Sequence, residues 1–352
     1  MLWRARKLKK TNLKFILIVS ALLFLSACET VSYYSQSVVG HSKLMLARQP
    51  IDKAINRLDG KRKNLLVVAK SLRLFATNEL SLPDNGSYLS YVNLKREHPV
   101  WSVVAAPEFS VTPISWCYPV IGCASYRGYF SEKSALNYAK KMQKKGYEIE
   151  VGGVTAYSTL GWFRDPLIPN MLDRGDIFLA EVMFHELAHQ QLYIKGNSAF
   201  NEAFATVVGE QGTLRWLALN HPEKIDAYRL RMQVRNDFSK LIKVLKERLK
   251  IVYAKPITEE VMREQKTMTI NLFKQEYEQV KQQRWSGKPW YGGWLKKSVN
   301  NARMASFSTY RDLVPQFEAL LDACENNFER FYQVVAQQKG QAKAAQIATT
   351  CD

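Results

Sequence analysis

Two histidines four residues apart, with a glutamate beside the first, are the residues of this 352-residue sequence best suited to chemistry. The segment reads His185-Glu186-Leu187-Ala188-His189. On a helix, residues i and i+4 lie on the same face, so both imidazoles can reach one metal ion. Glu186, about 100 degrees round the helix, can address a water molecule on that ion. The chain has only five histidines, so this spacing favours a metal site over an ordinary amphipathic helix.

The third metal ligand is expected on the helix that follows the histidines. A hydrolytic zinc site takes three protein ligands and leaves a fourth position for water. Glu202 follows the Gly196-Asn197 turn, after which a second helix can fold back on the first and aim this carboxylate at the ion. Glu210, two turns later, is the rival ligand. Glu181, one turn before the first histidine, is expected at the surface or behind the ligands.

Both segments resemble the gluzincin metallopeptidases. These segments are His-Glu-Leu-Ala-His at residues 185–189 and Asn-Glu-Ala-Phe-Ala-Thr at residues 201–206. In gluzincins, the Glu of the Asn-Glu pair is the third zinc ligand, which implies Glu202 here. With residues 157–163, Asn300-Asn301-Ala302 and the N-terminal lipobox described below, the whole chain resembles bacterial lipoproteins described as predicted aminopeptidases. The resemblance implies zinc-dependent hydrolysis of peptide bonds.

Two departures from the gluzincin pattern affect the expected site. Only twelve residues separate His189 from Glu202, which is shorter than in aminopeptidase N-type enzymes and implies a direct helical hairpin. Thr206 stands where some gluzincins place an aspartate that orients a ligand histidine. The residues that orient the metal ligands are therefore expected to differ from those of the family.

The expected mechanism needs a base and a donor for the oxyanion. Glu186 is expected to take the proton of the attacking water and to deliver it to the leaving amine. Tyr310 is the candidate oxyanion donor, because gluzincins often use a tyrosine from a later helix; Tyr157 and Tyr193 are alternatives. Residues 154–160, just before the metal helix, are expected to form a strand that pairs with extended substrate.

Three other functions compete with aminopeptidase activity. No segment resembles the amine-binding motif of aminopeptidase N, so endopeptidase action is the near alternative. A non-catalytic envelope scaffold is the second, although a structural metal site has no use for a base such as Glu186. A nucleic-acid binder is the third. The net charge of +18 would suit it, but six basic residues lie before Ala27 and the rest follow helix-like segments, which favours solvated helix faces.

The remaining sequence indicates an α+β fold that is mostly helical, with a zincin-like core. Residues 30–85 are expected to be helical with a break at Gln49-Pro50, and residues 86–220 to hold a small mixed sheet followed by the two metal helices. Residues 221–352 are expected to form long polar helices and a helical tail. Residues 28–352 are thus expected to be a single metallopeptidase unit.

The N-terminus predicts export and lipid attachment. A basic stretch ending at Lys14 precedes an apolar run from Phe15 to Leu25, as in a secretory signal peptide. The next residues, Ser26-Ala27-Cys28, complete a segment that resembles a bacterial lipobox. Residues 1–27 are therefore expected to be removed and Cys28 to carry the lipid. Glu29, where aspartate would mark inner-membrane retention, favours the outer membrane, facing the periplasm.

The other four cysteines predict disulfides. An even number of cysteines in an exported chain favours disulfide bonds, and the pairs nearest in sequence are Cys117 with Cys123 and Cys324 with Cys351. Three pairings are possible. Zinc binding by cysteine is disfavoured because the spacings fit no ligand pattern.

Overall fold

A computed structural model of the protein describes residues 30–118, 122–308, 311, 313–338 and 347–351. The chain divides into two compact units, residues 1–47 and 48–352. The first unit contributes helix α1, residues 30–46. The strands of the second unit are β1 (Gln49–Pro50), β2 (Ser90–Tyr91), β3 (Trp101–Pro107), β4 (Trp116–Tyr118), β5 (Gly122–Ala124), β6 (Arg127–Tyr129) and β7 (Tyr147–Gly153).

Helices make up most of the second unit. They are α2 (Ile51–Ile55), α3 (Gly60–Asn78), α4 (Glu132–Gln143), α5 (Pro169–Leu172), α6 (Asp176–Gln191), α7 (Ser198–Asn220), α8 (Ile225–Tyr253), α9 (Glu259–Arg284), α10 (Gly292–Leu295), α11 (Asn301–Ser308), α12 (Val314–Ala323) and α13 (Phe328–Gln337). With 61% of the described residues helical and only small antiparallel sheets, the prediction of a mostly helical α+β fold is confirmed. Among the described residues, no helix is both long and apolar enough to cross a lipid bilayer.

The main sheet has three antiparallel strands in the order β6-β3-β7. Strand β3 is central and pairs with β7 along its whole length, from Trp101 opposite Gly153 to Pro107 opposite Tyr147. Val104 and Ala106, two buried residues of β3, pack against Ala302 and Ala305 of α11. The small side chains of these two alanines allow the helix to lie close to the sheet.

The prediction of a strand over residues 154–160 is wrong. The ladder ends at Val154, whose N–H donates to the carbonyl of Val100 at 2.9 Å. Beyond it, the carboxylate of Asp165 accepts hydrogen bonds from the backbone N–H and the hydroxyl of Thr159, at 2.9 and 2.8 Å. Side-chain bonds of this kind compete with a strand ladder. The segment is therefore a loop, and it offers no strand edge to a substrate.

Capping residues define the helices around the site. The Ser131 side chain accepts from the N–H of Ser134 at the start of α4. Asn197 caps α7 by accepting from the N–H of Phe200. Helix α6 ends at Gln191, so a short link that contains a turn at Lys195-Gly196 joins α6 to α7.

Helices α6 and α7 form the central hairpin of the largest apolar core, which also includes α3, α12 and α13. Two glycines of α7 allow the close packing. A Cβ atom on Gly209 would lie 2.9 Å from the carbonyl oxygen of Glu181 and 3.2 Å from Cβ of His185. A Cβ atom on Gly212 would lie 2.7 Å from Cδ1 of Leu80, which follows α3, and 3.1 Å from Cδ2 of Phe184 in α6. Gly209 therefore leaves no room for a side chain where α7 meets the backbone of α6.

Both predicted disulfides are present. Cys117 and Cys123 join β4 to β5, and Cys324 at the end of α12 bonds to Cys351 near the C-terminus. The second bond ties the tail to the core, where both of its cysteines are buried. Cys28 and residues 1–27 lie outside the described residues.

Replacement of Gly209 by alanine is expected to destabilise the protein by about 1–3 kcal/mol, because the new methyl group meets backbone that cannot yield. Gly293→Ala in α10 is the matched control, since a Cβ atom there meets nothing within 4 Å. Urea unfolding of both variants measures the difference. Equal stability of Gly209→Ala and wild type would contradict the close packing.

Candidate metal centre

Three side chains meet where α6 and α7 face each other. Nε2 of His185 lies 3.3 Å from Oε2 of Glu202, and Nε2 of His189 lies 3.7 Å from the same oxygen. One donor atom from each residue lies within 4.8 Å of the others. Ligand atoms about 2.0–2.1 Å from a tetrahedral zinc ion lie about 3.3–3.5 Å apart. The two distances to Glu202 lie near this range, and the two-histidine, one-carboxylate group could hold a metal ion.

The link between the two helices is held by Asn201. Its side-chain oxygen accepts from the N–H of Ile194 at 2.8 Å, and its amide donates to the carbonyl of Ile194 at 2.8 Å. Asn201 is buried, so both bonds lie away from water. They fold the link back onto the first turn of α7 and hold the neighbouring Glu202 against the histidines. This is the structural role of the asparagine in the Asn-Glu pair.

The charges at the centre favour an ionised carboxylate. Burial alone would raise the pKa of Glu202, but the charge of His189 and hydrogen bonds from both histidines lower it to about 2. Burial would lower the pKa of His185, and its contact with Glu202 outweighs this and raises it. Glu202 is therefore ready to bind a cation at neutral pH.

Glu210 does not reach the histidines. It is 1% exposed, and its carboxylate lies 2.7 Å from Nη1 of Arg311 and 3.5 Å from Nη1 of Arg235. Glu181 is bound by Arg235 and by the hydroxyl of Tyr228 at 2.8 Å. Both carboxylates are thus paired with arginines on the side of the hairpin that faces α8, which leaves Glu202 as the carboxylate beside the histidines.

The outer support of the ligands is incomplete. Nδ1 of His189 is buried and has no hydrogen-bond partner among the residues that the structure describes. Metal-bound histidines ordinarily donate this second N–H to a carboxylate or carbonyl. Thr206, at the position of the aspartate that some gluzincins use, does not fill this role. The departure noted in the sequence is therefore visible in the site.

Of the two candidate tyrosines that the structure describes, Tyr193 lies beside a ligand. The ring of Tyr193 is 6.4 Å from that of His189, and burial together with the charge of Glu202 raises its pKa. Tyr157 is close to Asp165 instead, and burial raises its pKa. Tyr310 lies outside the described residues.

A buried carboxylate next to the site is not evident from the sequence. Asp165 is fully buried, and Nε2 of Gln190 donates to it at 3.3 Å. Burial raises the pKa of Asp165 to about 6, and the charge of Glu186 adds to the increase. Gln190 also accepts from the amide of Asn85 at 2.6 Å. These bonds join two loops to the helix face that carries Glu186, and only the fold brings them together.

The fold and the site define a mostly helical α+β protein with a two-histidine, one-glutamate cluster that could hold a metal ion. Residues 32–349 match a protein-family model described as "Putative aminopeptidase". The match covers most of the chain, which therefore belongs to this family. No curated protein and no solved structure matches the chain.

The replacements Glu202→Gln and Glu210→Gln are expected to have different effects on metal binding and on stability. Glu202→Gln should weaken metal binding, because an amide is a poorer ligand than a carboxylate. Glu210→Gln should keep the metal and lower stability by up to about 3–5 kcal/mol, because Arg311 loses its buried partner. Metal content after dialysis and urea unfolding separate the two effects. Loss of metal from Glu210→Gln alone would reverse the assignment.

Proposed function

We propose that this protein is a zinc-dependent peptidase of gluzincin type with a zincin-like core, that it acts as an aminopeptidase, and that a lipid anchors it in the bacterial envelope. The observation that carries the proposal is the convergence of His185, His189 and Glu202 on one point, with Glu186 on the helix that bears the histidines. Membership of the aminopeptidase family supports peptide substrates.

Different side chains have different roles in the proposed hydrolysis. His185, His189 and Glu202 would hold the zinc ion, which when bound lowers the pKa of water and polarises the substrate carbonyl. Glu186 is partly exposed, and the described residues form no hydrogen bond to its carboxylate. It is therefore available to accept the proton of the attacking water and to pass it to the leaving amine.

The proposed donor to the oxyanion is Tyr310, the residue that the family resemblance implies. Tyr193 competes with it because of its place beside His189. Tyr→Phe replacements at the two positions separate them, since loss of the true donor lowers kcat by about 100-fold or more.

Endopeptidase action is the nearest rival, and the substrate terminus distinguishes the two. An aminopeptidase must bind the free amine, so blocking the N-terminus of a peptide abolishes its cleavage. The soluble chain from Glu29 onward should be assayed with zinc on matched peptides that have free or acetylated N-termini. Cleavage of free peptides only supports the aminopeptidase; equal cleavage of both supports the endopeptidase.

Replacement of Glu186 by glutamine is expected to lower kcat by about 100- to 10,000-fold while zinc stays bound, because the amide cannot accept a proton. His185→Ala is expected to lose the zinc together with the activity, since it removes a ligand. Glu247→Gln, an exposed substitution on α8, is the control for lost charge alone. Wild-type activity of Glu186→Gln would show that Glu186 is not the base.

The proposed lipid attachment at Cys28 can be tested separately. The lipobox ending at Cys28 supports a mature protein that begins at this residue, carries acyl chains and sits in the outer membrane, facing the periplasm. Cys28→Ser should remove the lipid and release the protein into the soluble fraction. Mass spectrometry of the mature N-terminus and membrane fractionation measure both effects. An unmodified N-terminus at another residue would contradict the anchor.

A further inference from the structure

Two adjacent aromatic side chains are exposed on the loop that follows β7. Trp162 is 71% exposed and Phe163 is 51% exposed, which makes them the two most exposed aromatic residues in the part of the chain that the structure describes. Scattered exposed apolar side chains are ordinary, whereas contiguous ones mark surfaces that bind a ligand or a partner. The proposed hydrolysis gives these two residues no role, so their exposure calls for another explanation.

The loop is fixed by its own hydrogen bonds. The N–H of Trp162 donates to the carbonyl of Thr159 at 3.1 Å, and the N–H of Phe163 donates to the Thr159 hydroxyl at 3.0 Å. Thr159 is bonded in turn to the buried Asp165. Leu160 has a φ of 56°, a left-handed conformation that is strained for a residue with a side chain and that clusters at binding and active sites. The loop therefore presents both aromatic side chains from an ordered backbone.

The same loop packs on the face of α6 that carries the proposed base. A Cβ atom on Gly161 would lie 3.6 Å from Cβ and from Cγ of Gln190, so the backbone of Gly161 lies directly against this side chain. Nε2 of Gln190 also donates to Asp165, at the far end of the loop, at 3.3 Å. Gln190 and Glu186 are four residues apart and share a helix face. Trp162 follows Gly161 at about 3.8 Å along the chain, so its side chain starts beside that face.

We propose that Trp162 and Phe163 form a subsite for a large apolar side chain of the peptide substrate, at a residue next to the scissile bond. An extended peptide advances about 3.3–3.6 Å per residue, so a side chain beside the bond can reach a loop that touches the helix face of Glu186. Covering exposed aromatic surface with a phenyl or long aliphatic group is favourable. This inference rests on the proposed function, and it names the substrates as peptides with an aromatic or large aliphatic residue at that position.

A lipid surface is the other apolar partner that exposed aromatic side chains suit. The contact between Gly161 and Gln190 favours the substrate. A bilayer that covered Trp162 and Phe163 would lie against the side of α6 that carries Glu186 and would obstruct the approach of peptides to the site. The loop is therefore better placed to hold a substrate side chain than to enter a membrane.

The kinetic test uses matched peptides in which the residues on each side of the cleaved bond are, in turn, phenylalanine, leucine or alanine. Trp162→Ala is expected to lower kcat/KM about tenfold or more for the phenylalanine and leucine peptides, mainly through KM, and to leave the alanine peptide within about twofold. Trp162→Phe should retain most of the preference, because it keeps an aromatic surface. Zinc content should stay unchanged in both variants.

Trp290→Ala is the matched control for the loss of an exposed tryptophan. Trp290 is 40% exposed and lies between α9 and α10, outside the loop and the two metal helices. This variant is expected to keep the wild-type preference for large side chains. Equal losses on all three peptides for Trp162→Ala, or a preference that Trp162→Ala leaves intact, would overturn the inference.

A binding test separates this inference from the proposed function. Calorimetric titration measures the affinity of the phenylalanine and alanine peptides for the Glu186→Gln protein, with and without Trp162→Ala. Tighter binding of the phenylalanine peptide that Trp162→Ala abolishes supports the subsite, and if the wild type cleaves no peptide the proposed function alone fails. Cleavage by the wild type without any preference that depends on Trp162 refutes the subsite alone.

Vesicle binding tests the lipid alternative. The soluble chain from Glu29 onward and its Trp162→Ala variant are sedimented with vesicles of phosphatidylethanolamine and phosphatidylglycerol. The inference expects no difference between the two proteins. Weaker vesicle binding by Trp162→Ala, together with an unchanged preference among the peptides, would assign the aromatic pair to a membrane surface and overturn the inference.

Discussion

The close packing of α6 against α7 is the constraint on which the site depends. Gly209 lets the backbones approach at the level of His185, and Asn201 bonds both backbone groups of Ile194 to fold the link between the helices. These two contacts set the distance between the histidines and Glu202. A bulkier residue at the first position or an apolar one at the second would move the Glu202 carboxylate away from Nε2 of His185 and of His189, which lie 3.3 and 3.7 Å from it.

Two arginines form ion pairs with carboxylates of the α6–α7 hairpin, so these carboxylates are not available to a cation. Glu181 and Glu210 are drawn toward Arg235 and Arg311, so their charges are neutralised in the core. Unpaired charges there would carry a large desolvation penalty. The pairing leaves Glu202 as the carboxylate beside the histidines. Arg235 in α8 and Arg311, which follows α11, therefore contribute to the composition of the centre although neither belongs to the cluster.

Features that depend on nearby residues could be predicted from the sequence. The helices that carry the histidines and Glu202 and the pairing of the four cysteines follow from short spacings. Residues 154–160 were expected to be a strand because they are β-branched and aromatic. They form a loop instead, because the carboxylate of Asp165 accepts hydrogen bonds from Thr159.

The sequence by itself determined which residues could bind a metal ion and which helix carries the proposed base, because both follow from spacing along one helix. It left two carboxylates, Glu202 and Glu210, as possible third ligands. Tertiary structure separated them, since only the angle and closeness of α6 and α7 decide which one faces the histidines. The same holds for Asp165, which no local pattern connects to the helix face that carries Glu186. Its position results from loops that meet at Gln190, whose contacts join distant parts of the chain.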